Sequence, residues 1–402
     1  MSQRIEVTRI EPTRLSHYLS LLGAILLGFY ILGYGSSVVA FIGSVLLVSP
    51  LVLALYIKYT LVLLRDEIHV KRTVMGRPVE GYYTPVKLTV KNNSRLGLFY
   101  ATIDDSPPEG LKVKGSSGGG GVLPPRSEID ILYYVVPRIG LREFGGAKIT
   151  IWDPLGLVTA EARITPSGSR YIAGYPSKAI AYDMPELKPV VDPYISPSSR
   201  LIRGPGIEIY TIREFVQGDE PRLIDWKATA RLGRLFVKEL RREAEIPLMI
   251  AVALSSKSNE GEPYKTSFEM LLRAAYILGE QLVARGSSIT YIALTGKSPV
   301  KIPMGRGKEG ISRLQDAIAI TPPPVDKAPY GLFEIVKHLK ATFPGRGIVL
   351  ILVDDESKNR LHGVVSSILE MKHRVYYMEM TKGSIKIYPV KLSAPKIAAK
   401  GE

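Results

Sequence analysis

Leu248-Met249-Ile250-Ala251-Val252-Ala253-Leu254 is an apolar run without a break, too short to cross a membrane and uninterrupted in the way a strand buried on both faces of a parallel sheet requires. Downstream of this run the pattern alternates. Thr266 and Glu269 have the spacing of a capping box. After them Phe268, Leu271, Leu272, Ala275, Leu278 and Leu282 recur at helical spacing. Ile289–Leu294 predicts the next strand and Val300–Pro303 an antiparallel edge. Ile311, Leu314 and Ile318 mark a second helix, and Leu332, Ile335, Val336 and Leu339 a third. Ile348–Val353 predicts another buried strand, Leu361–Met371 a helix and Val375–Met380 a strand. Strands alternating with helices predict a doubly wound α/β domain over 246–390, with 391–402 a flexible tail.

Upstream, the pattern changes. Val86, Leu88 and Val90 alternate with Lys87, Thr89 and Lys91, as in a half-buried strand. Ile129–Val136, Lys148–Trp152 and Arg170–Gly174 read as further short strands, separated by Asn92-Asn93-Ser94, Pro107-Pro108, Pro124-Pro125 and Gly145-Gly146. Residues 66–180 therefore read as a β-sandwich-like domain. Gly115-Ser116-Ser117-Gly118-Gly119-Gly120-Gly121 is followed by Val122 and Leu123, without the Lys-Ser/Thr of a phosphate loop. It reads as a flexible hairpin tip.

Further upstream, the 43 residues between Arg14 and Lys58 contain no Asp, Glu, Lys or Arg. One bilayer crossing takes roughly 20 apolar residues, so residues 15–58 read as a two-helix transmembrane hairpin in contact with membrane lipids. The spans are Leu15–Leu32 and Val38–Ile57, joined by Gly33-Tyr34-Gly35-Ser36-Ser37. Tyr18, Tyr34, Tyr56 and Tyr59 lie where interfacial aromatics belong, and Pro50 falls inside the second span. Residues 1–14 read as a basic tail. Arg4, Arg9 and Arg14 precede the hairpin, while Lys58, Arg65, Lys71, Arg72 and Arg77 follow it. The positive-inside rule then expects a multi-pass cell-membrane protein with both termini and the soluble domains in the cytoplasm. Asn92-Asn93-Ser94 matches a glycosylation acceptor, which a cytoplasmic site would never use.

The whole chain has 402 residues, 53 Lys+Arg against 38 Asp+Glu, a net charge of +15 and no cysteine. The missing cysteines exclude disulfides, thiolate metal sites and a cysteine nucleophile. A positive balance suits nucleic acid or anionic lipid, and the clustering around the hairpin favours lipid.

Residues 181–245 hold a Pro- and Ser-rich linker and then a charged block, Tyr210-Thr-Ile-Arg-Glu-Phe-Val-Gln-Gly-Asp219-Glu-Pro-Arg222-Leu-Ile-Asp225-Trp226-Lys227-Ala-Thr-Ala-Arg231-Leu-Gly-Arg-Leu-Phe-Val-Lys238-Glu239. From Arg200 to Glu243 there are ten basic and seven acidic residues. That near balance is unlike a nucleic-acid surface, where each neutralised phosphate needs its own cation. The block reads either as an internally paired network locking the two soluble domains together or as a partner-docking surface.

This block resembles the defining motif of the domain of unknown function 58 family, through Arg213, Gly218, Asp219, Arg222, Asp225, Trp226, Lys227 and Arg231. Asp153-Pro154-Leu155-Gly156-Leu157 is similar to that family's Asp-Pro-Phe-Gly-Leu step, and Pro137-Arg138-Ile139-Gly140 to its Arg-Gly turn. The resemblance implies a membrane-anchored protein with a β domain and a von Willebrand factor A-like α/β domain. It further implies an adaptor or scaffold role beside a MoxR-type AAA+ ATPase and a client protein, in chaperone-like assembly or activation of other complexes.

An A-like domain with a Mg²⁺ site needs Asp-x-Ser-x-Ser after its first strand. Here Ala251-Val252-Ala253-Leu254-Ser255-Ser256-Lys257-Ser258 lacks the leading carboxylate in either register. Ser256, Ser258 and Asp354 would form a degenerate site, and Lys257 stands near the cation's place. No metal or other cofactor is expected. His17, His69, His338, His362 and His373 have no zinc spacing, and neither a Gly-x-Ser-x-Gly elbow nor a His-Glu-x-x-His motif occurs. The expectation is a non-enzymatic adaptor. A Mg²⁺-dependent adhesion-type receptor is the alternative, and a membrane-tethered nucleic-acid binder a more distant one.

Overall fold

The uncharged interval folds as two antiparallel helices, α1 (Arg14–Ile31) and α2 (Ser37–Leu64). Thr13 caps α1 by accepting the Ser16 amide. Both helices are long and apolar enough to cross a bilayer, and only 11% and 6% of their most apolar stretches is buried. A helix in the core of a soluble protein would be buried. The structure is a computed structural model that describes residues 6–64, 66–95, 98–183, 201–243, 247–284, 286–296, 298–325, 331–343, 345–381 and 384–390. Contacts divide the chain into two units, Met1–Ile180 with Gly261–Lys265, and Ala181–Glu260 with Thr266–Glu402.

In the first unit the strands are β1 (Glu6–Pro12), β2 (Ile68–Val74), β3 (Thr84–Asn92), β4 (Leu98–Asp104), β5 (Lys112–Lys114) and β6 (Gly118–Leu123). They continue with β7 (Glu128–Val136), β8 (Gly140–Glu143), β9 (Ala147–Trp152), β10 (Val158–Ile164), β11 (Ser167–Gly168) and β12 (Tyr171–Gly174), and α3 (Lys178–Asp183) comes after them. One sheet has the order β1-β10-β9-β4-β6 and a second β11-β2-β3-β7-β5, with β12-β8 a separate pair. Val70, Leu88 and Val90 from the second sheet share a core with Ile103, Ile149 and Ile151 from the first. This is the sandwich that the alternating sequence predicts.

Two features depart from the sequence reading. Residues 6–12 are not a tail: Glu6 to Pro12 pair antiparallel with Arg163 to Val158. Residues Gly118–Gly121 are not a hairpin tip but four of the six residues of β6, paired with β4. Glycine is required there because a Cβ at Gly120 would lie 2.6 Å from the Thr102 methyl, and glycine leaves no hydropathy signal to read. Asn92 is no glycan acceptor, since its side chain is fully buried and its amide donates to the Pro124 carbonyl at 3.1 Å.

The second helix also outruns the expected span. Ile57, Leu61 and Leu64, one stripe at helical spacing, are buried in the sandwich core with Ile68 and Ala160. The helix and the β domain therefore share one core.

The sandwich holds a buried polar network. Arg72 is 2% exposed and donates through Nε to Asp105 at 2.8 Å, while the Tyr133 hydroxyl donates to the same carboxylate at 2.5 Å. The Arg72 guanidinium also lies 4.4 Å from the Phe144 ring centroid.

The second unit begins with a two-stranded antiparallel ribbon, β13 (Leu201–Glu214) and β14 (Phe236–Glu243), with α4 (Trp226–Leu232) between them. The α/β part then runs β15 (Leu248–Ala253), α5 (Ser267–Ala284), β16 (Ile289–Ala293), β17 (Val300–Gly305), α6 (Gly307–Ala319) and α7 (Glu334–Thr342). It ends with β18 (Ile348–Val353), α8 (Asp355–Arg360), α9 (His362–Glu370), β19 (Arg374–Thr381) and β20 (Ser384–Pro389). The sheet order is β17-β16-β15-β18-β19-β20, with β16, β15, β18 and β19 parallel and both edges antiparallel.

Alternate residues of β15 face opposite ways, which is why its run is apolar throughout. Met249, Ala251 and Ala253 share a core with Ile335, Leu339, Val364 and Ile368 of α7 and α9. On the other face, Gly279 of α5 lies against Ile250 and Leu314. The expected capping box forms, with the Glu269 amide donating to Thr266 Oγ1 and the Thr266 amide to Glu269 Oε2, each at 3.3 Å. The strand β20 was not legible in the sequence, and the tail expected over 391–402 lies outside the described residues.

Candidate functional site

Every residue of the charged block has a definable place on the ribbon. Arg213 ends β13 and clamps Asp219 through two parallel bonds, Nη1 to Oδ2 at 2.7 Å and Nη2 to Oδ1 at 2.6 Å. The Val216 amide donates to Asp219 Oδ2 at 2.8 Å, and Gly218 between them takes a φ of +110°, which favours glycine. Arg213 first, then the Val216 amide, hold the Asp219 carboxyl down at about 2. Arg222 pairs with the neighbouring Glu220 in the open.

Asp225 has a structural duty. It is the N-cap of α4, accepting the Lys227 and Ala228 amides at 3.0 and 3.1 Å. Gly233 closes the helix in the left-handed region at a φ of +68°. Thr229 ties the helix to β14 by accepting the Phe236 amide at 3.1 Å. Among the described residues, the ion pairs of the block are made inside the block: Arg213–Asp219, Arg222–Glu220, Arg234–Glu214 and Lys238–Asp225.

With Asp225 and Thr229 holding one side of α4, the other side is left outward. Trp226 is 67% exposed, and Lys227 and Arg231 are exposed one helical turn apart. Val216, Leu232 and Leu235 are exposed on the same ribbon. The motif names the tryptophan and the two cations; the three aliphatics were missed because each is an ordinary apolar residue in sequence.

The second candidate place is a cleft of about 390 Å³ at the carboxyl ends of β15 and β18, lined by Ser255, Lys257, Ser258, Asp354, Asp355 and Glu379 among others. Asp354 caps α8: its Oδ1 accepts the Ser357 amide at 2.8 Å and its Oδ2 the Ser255 amide at 2.6 Å. Burial pushes the Asp354 carboxyl up, but these bonds outweigh it and hold the group below the usual carboxylate range. Ser258 Oγ donates to the Ser255 carbonyl at 2.7 Å, and Lys257 pairs with Glu356 at 3.6 Å instead of lying on Asp354. Ser256 sits in the same short 3-10 turn, Ser256–Asn259. Among the described residues, no three His, Asp or Glu side chains are grouped to hold a metal.

A pair of apolar helices, a sandwich sharing a core with one of them, and an α/β sheet preceded by an exposed charged ribbon together define a multidomain protein of sheet-rich architecture. Residues 211–382 match the model of the family described as "Protein of unknown function DUF58". The match takes in most of the ribbon and five of the six strands of the α/β sheet, ending before β20; the hairpin and sandwich precede it. No curated protein matches the chain. Among solved structures, an inactive mutant of a GH20 exo-β-N-acetylglucosaminidase from Vibrio harveyi aligns over 24% of this chain and 17% of its own, at 16% identity and a TM-score of 0.19. The same enzyme with N-acetylglucosamine aligns over 80% of this chain and 34% of its own, at 10% identity and a TM-score of 0.19. BslA, a bacterial hydrophobin, aligns over 24% of this chain and 97% of its own, at 14% identity and a TM-score of 0.16. Likenesses this low carry no argument about fold or activity.

Proposed function

We propose that the chain is a membrane-anchored, non-enzymatic adaptor that works with a MoxR-type AAA+ ATPase to assemble or activate other protein complexes. The observation that carries the reading is Trp226, a residue of the family block left 67% exposed by a helix whose cap and tie face the other way. An exposed tryptophan beside two exposed cations is the composition of an interaction hot spot. In this reading the α/β domain is von Willebrand factor A-like and offers the carboxyl ends of its strands to the client protein.

The two apolar helices supply the anchor. Pairing of β1 with β10 supports placing both ends of the hairpin on one side of the membrane, and Arg9, Arg14 and Lys58 favour the cytoplasmic side. The internal pairing of the ribbon disfavours nucleic acid as the partner. The Mg²⁺-dependent receptor is disfavoured because both Asp354 oxygens already accept backbone amides.

The test is recovery of the tagged full chain from native membranes. A co-purifying MoxR-type ATPase, lost with Trp226→Ala while thermal stability is unchanged, is the expected result. A complex that survives both Trp226→Ala and Lys227→Glu overturns this surface.

A further inference from the structure

The Asp153-Pro154-Leu155-Gly156-Leu157 turn lies beside the start of the first helix. The Thr13 amide donates to the Leu157 carbonyl at 2.8 Å and the Thr13 hydroxyl to the Gly156 carbonyl at 2.9 Å. Thr13 is the cap of α1, so at 1.5 Å of rise per residue the turn lies within about 5 Å, along the helix axis, of the first apolar residues of the span. The turn is built, not loose. Buried Asp153 accepts the Leu155 amide at 2.7 Å and also the Val158 amide, and Gly156 takes a φ of +67°. This construction leaves Leu155 at the apex, 64% exposed.

Strand register extends the same end across the sheet. Pro12 pairs with Val158, Thr159 with Trp152, and Trp152 with Tyr100, while Leu123 pairs with Leu98 at the end of β4. Tyr100 stacks edge-on against Trp152 at 5.4 Å and is 45% exposed; Val122 is 60% exposed. The facing sheet reaches the same place. Glu67 donates to the Leu64 carbonyl at the end of α2 and accepts the Asn93 amide, and Ser94 accepts the Arg126 amide. Arg95 and Arg126 are exposed there, neither with an acid partner among the described residues.

We infer that this end of the sandwich is a lipid-contacting foot: Leu155 and Val122 enter the bilayer boundary, Tyr100 and Trp152 lie at headgroup level, and Arg95 and Arg126 meet anionic headgroups. The inference rests on reading α1 and α2 as membrane spans. Aliphatic apices, a Tyr–Trp pair and unpaired arginines are the composition of an interface between hydrocarbon and water. Here they directly continue two helices whose apolar sides are exposed. A protein partner would have to dock where the bilayer surface already is. The turn would thus serve the anchor, whereas the ribbon serves the adaptor surface.

The chain has no cysteine, so single cysteines can be labelled cleanly. The full chain carrying Leu155→Cys, Val122→Cys, Leu51→Cys or Met75→Cys would be labelled with an environment-sensitive fluorophore. Each protein is then reconstituted into phosphatidylcholine–phosphatidylglycerol vesicles containing nitroxide lipids. Leu51, 63% exposed in mid-α2, reports on the span itself. Met75 comes just after β2, seven residues or about 23 Å of strand beyond Ile68, and serves as the aqueous control.

The expected result is quenching of the Leu155 and Val122 labels by shallow nitroxides, of Leu51 by deep ones, and of Met75 by neither. Labels at Leu155 and Val122 that behave like Met75 while Leu51 is quenched overturn the foot and leave the anchor standing. An unquenched Leu51 overturns the anchor and the foot with it. Arg95→Gln with Arg126→Gln is expected to lessen the gain in Val122 quenching that phosphatidylglycerol brings; an unchanged gain removes the arginines from the surface.

Discussion

Gly23 of α1 and Gly43 of α2 meet backbone to backbone: a Cβ at Gly23 would lie 2.7 Å from the Gly43 carbonyl oxygen, and one at Gly43 2.9 Å from that of Gly23. Small residues facing each other let helices approach closely in an apolar medium, where dispersion and not hydrophobic burial holds them together. Gly23→Leu is expected to force the helices apart at a cost on the order of 1–3 kcal/mol, read as a lower thermal midpoint of the full chain in detergent. Gly28→Leu, with nothing within 4 Å of its Cβ, is the matched control and should leave the midpoint unchanged.

The buried pair of Arg72 and Asp105 predicts a large and asymmetric loss. Asp105→Ala leaves a guanidinium at 2% exposure without its carboxylate, a cost of about 3–5 kcal/mol. Tyr133→Phe removes one bond to a charged acceptor, about 1.5–3 kcal/mol. Burial, and then Asp105, push the Tyr133 phenol up, so it remains the donor at ordinary pH. Urea unfolding of the full chain should rank the two in that order; the reverse ranking would remove the ion pair from the centre of the network.

Asp219 makes the ribbon turn acid-sensitive. Its folded value of about 2 lies below the usual 3.8, so the contribution is complete above about pH 4 and disappears as pH falls toward 2. Hydrogen exchange at the Val216 amide, which donates to Asp219, should therefore accelerate across that window. In Asp219→Asn it should be fast throughout, and an acid-insensitive Val216 would contradict the clamp.

Asp354 should behave as a tie between two loops. Asp354→Ala is expected to release the Ser255 and Ser357 amides to exchange and to cost about 1–2 kcal/mol, the usual value of a lost cap. Calorimetry of the full chain with Mg²⁺ should give no heat beyond dilution. A saturable heat that Asp354→Ala abolishes would restore the receptor reading.

The legible parts of this fold are those in which burial imposes a pattern. The run Leu248–Leu254 announced a strand covered on both faces, and β15 is buried throughout. Val86, Leu88 and Val90 announced one covered face. Elements that escaped include β1, β6 and β20 at sheet edges, where half-exposed residues or glycines carry little periodicity, and also β2, β4 and β10 inside the sheets, which the sequence reading did not single out. At the candidate site, the motif marked Asp225 and Trp226 alike. It could not say that the first caps the helix while the second is left outside, because that division depends on which side of α4 Thr229 ties down.

One consequence of the β1–β10 pairing concerns time. Among the described residues, the first strand begins at Glu6 and its one sheet neighbour, β10, ends at Ile164. At a synthesis rate of about 5–20 residues per second, some 150 residues and roughly 10–30 seconds separate the two. Glu6–Pro12 must therefore wait, with both helices already made after it, until β10 has been synthesised. On the proposed membrane-anchored reading, the sandwich closes only after both helices of the anchor have been made.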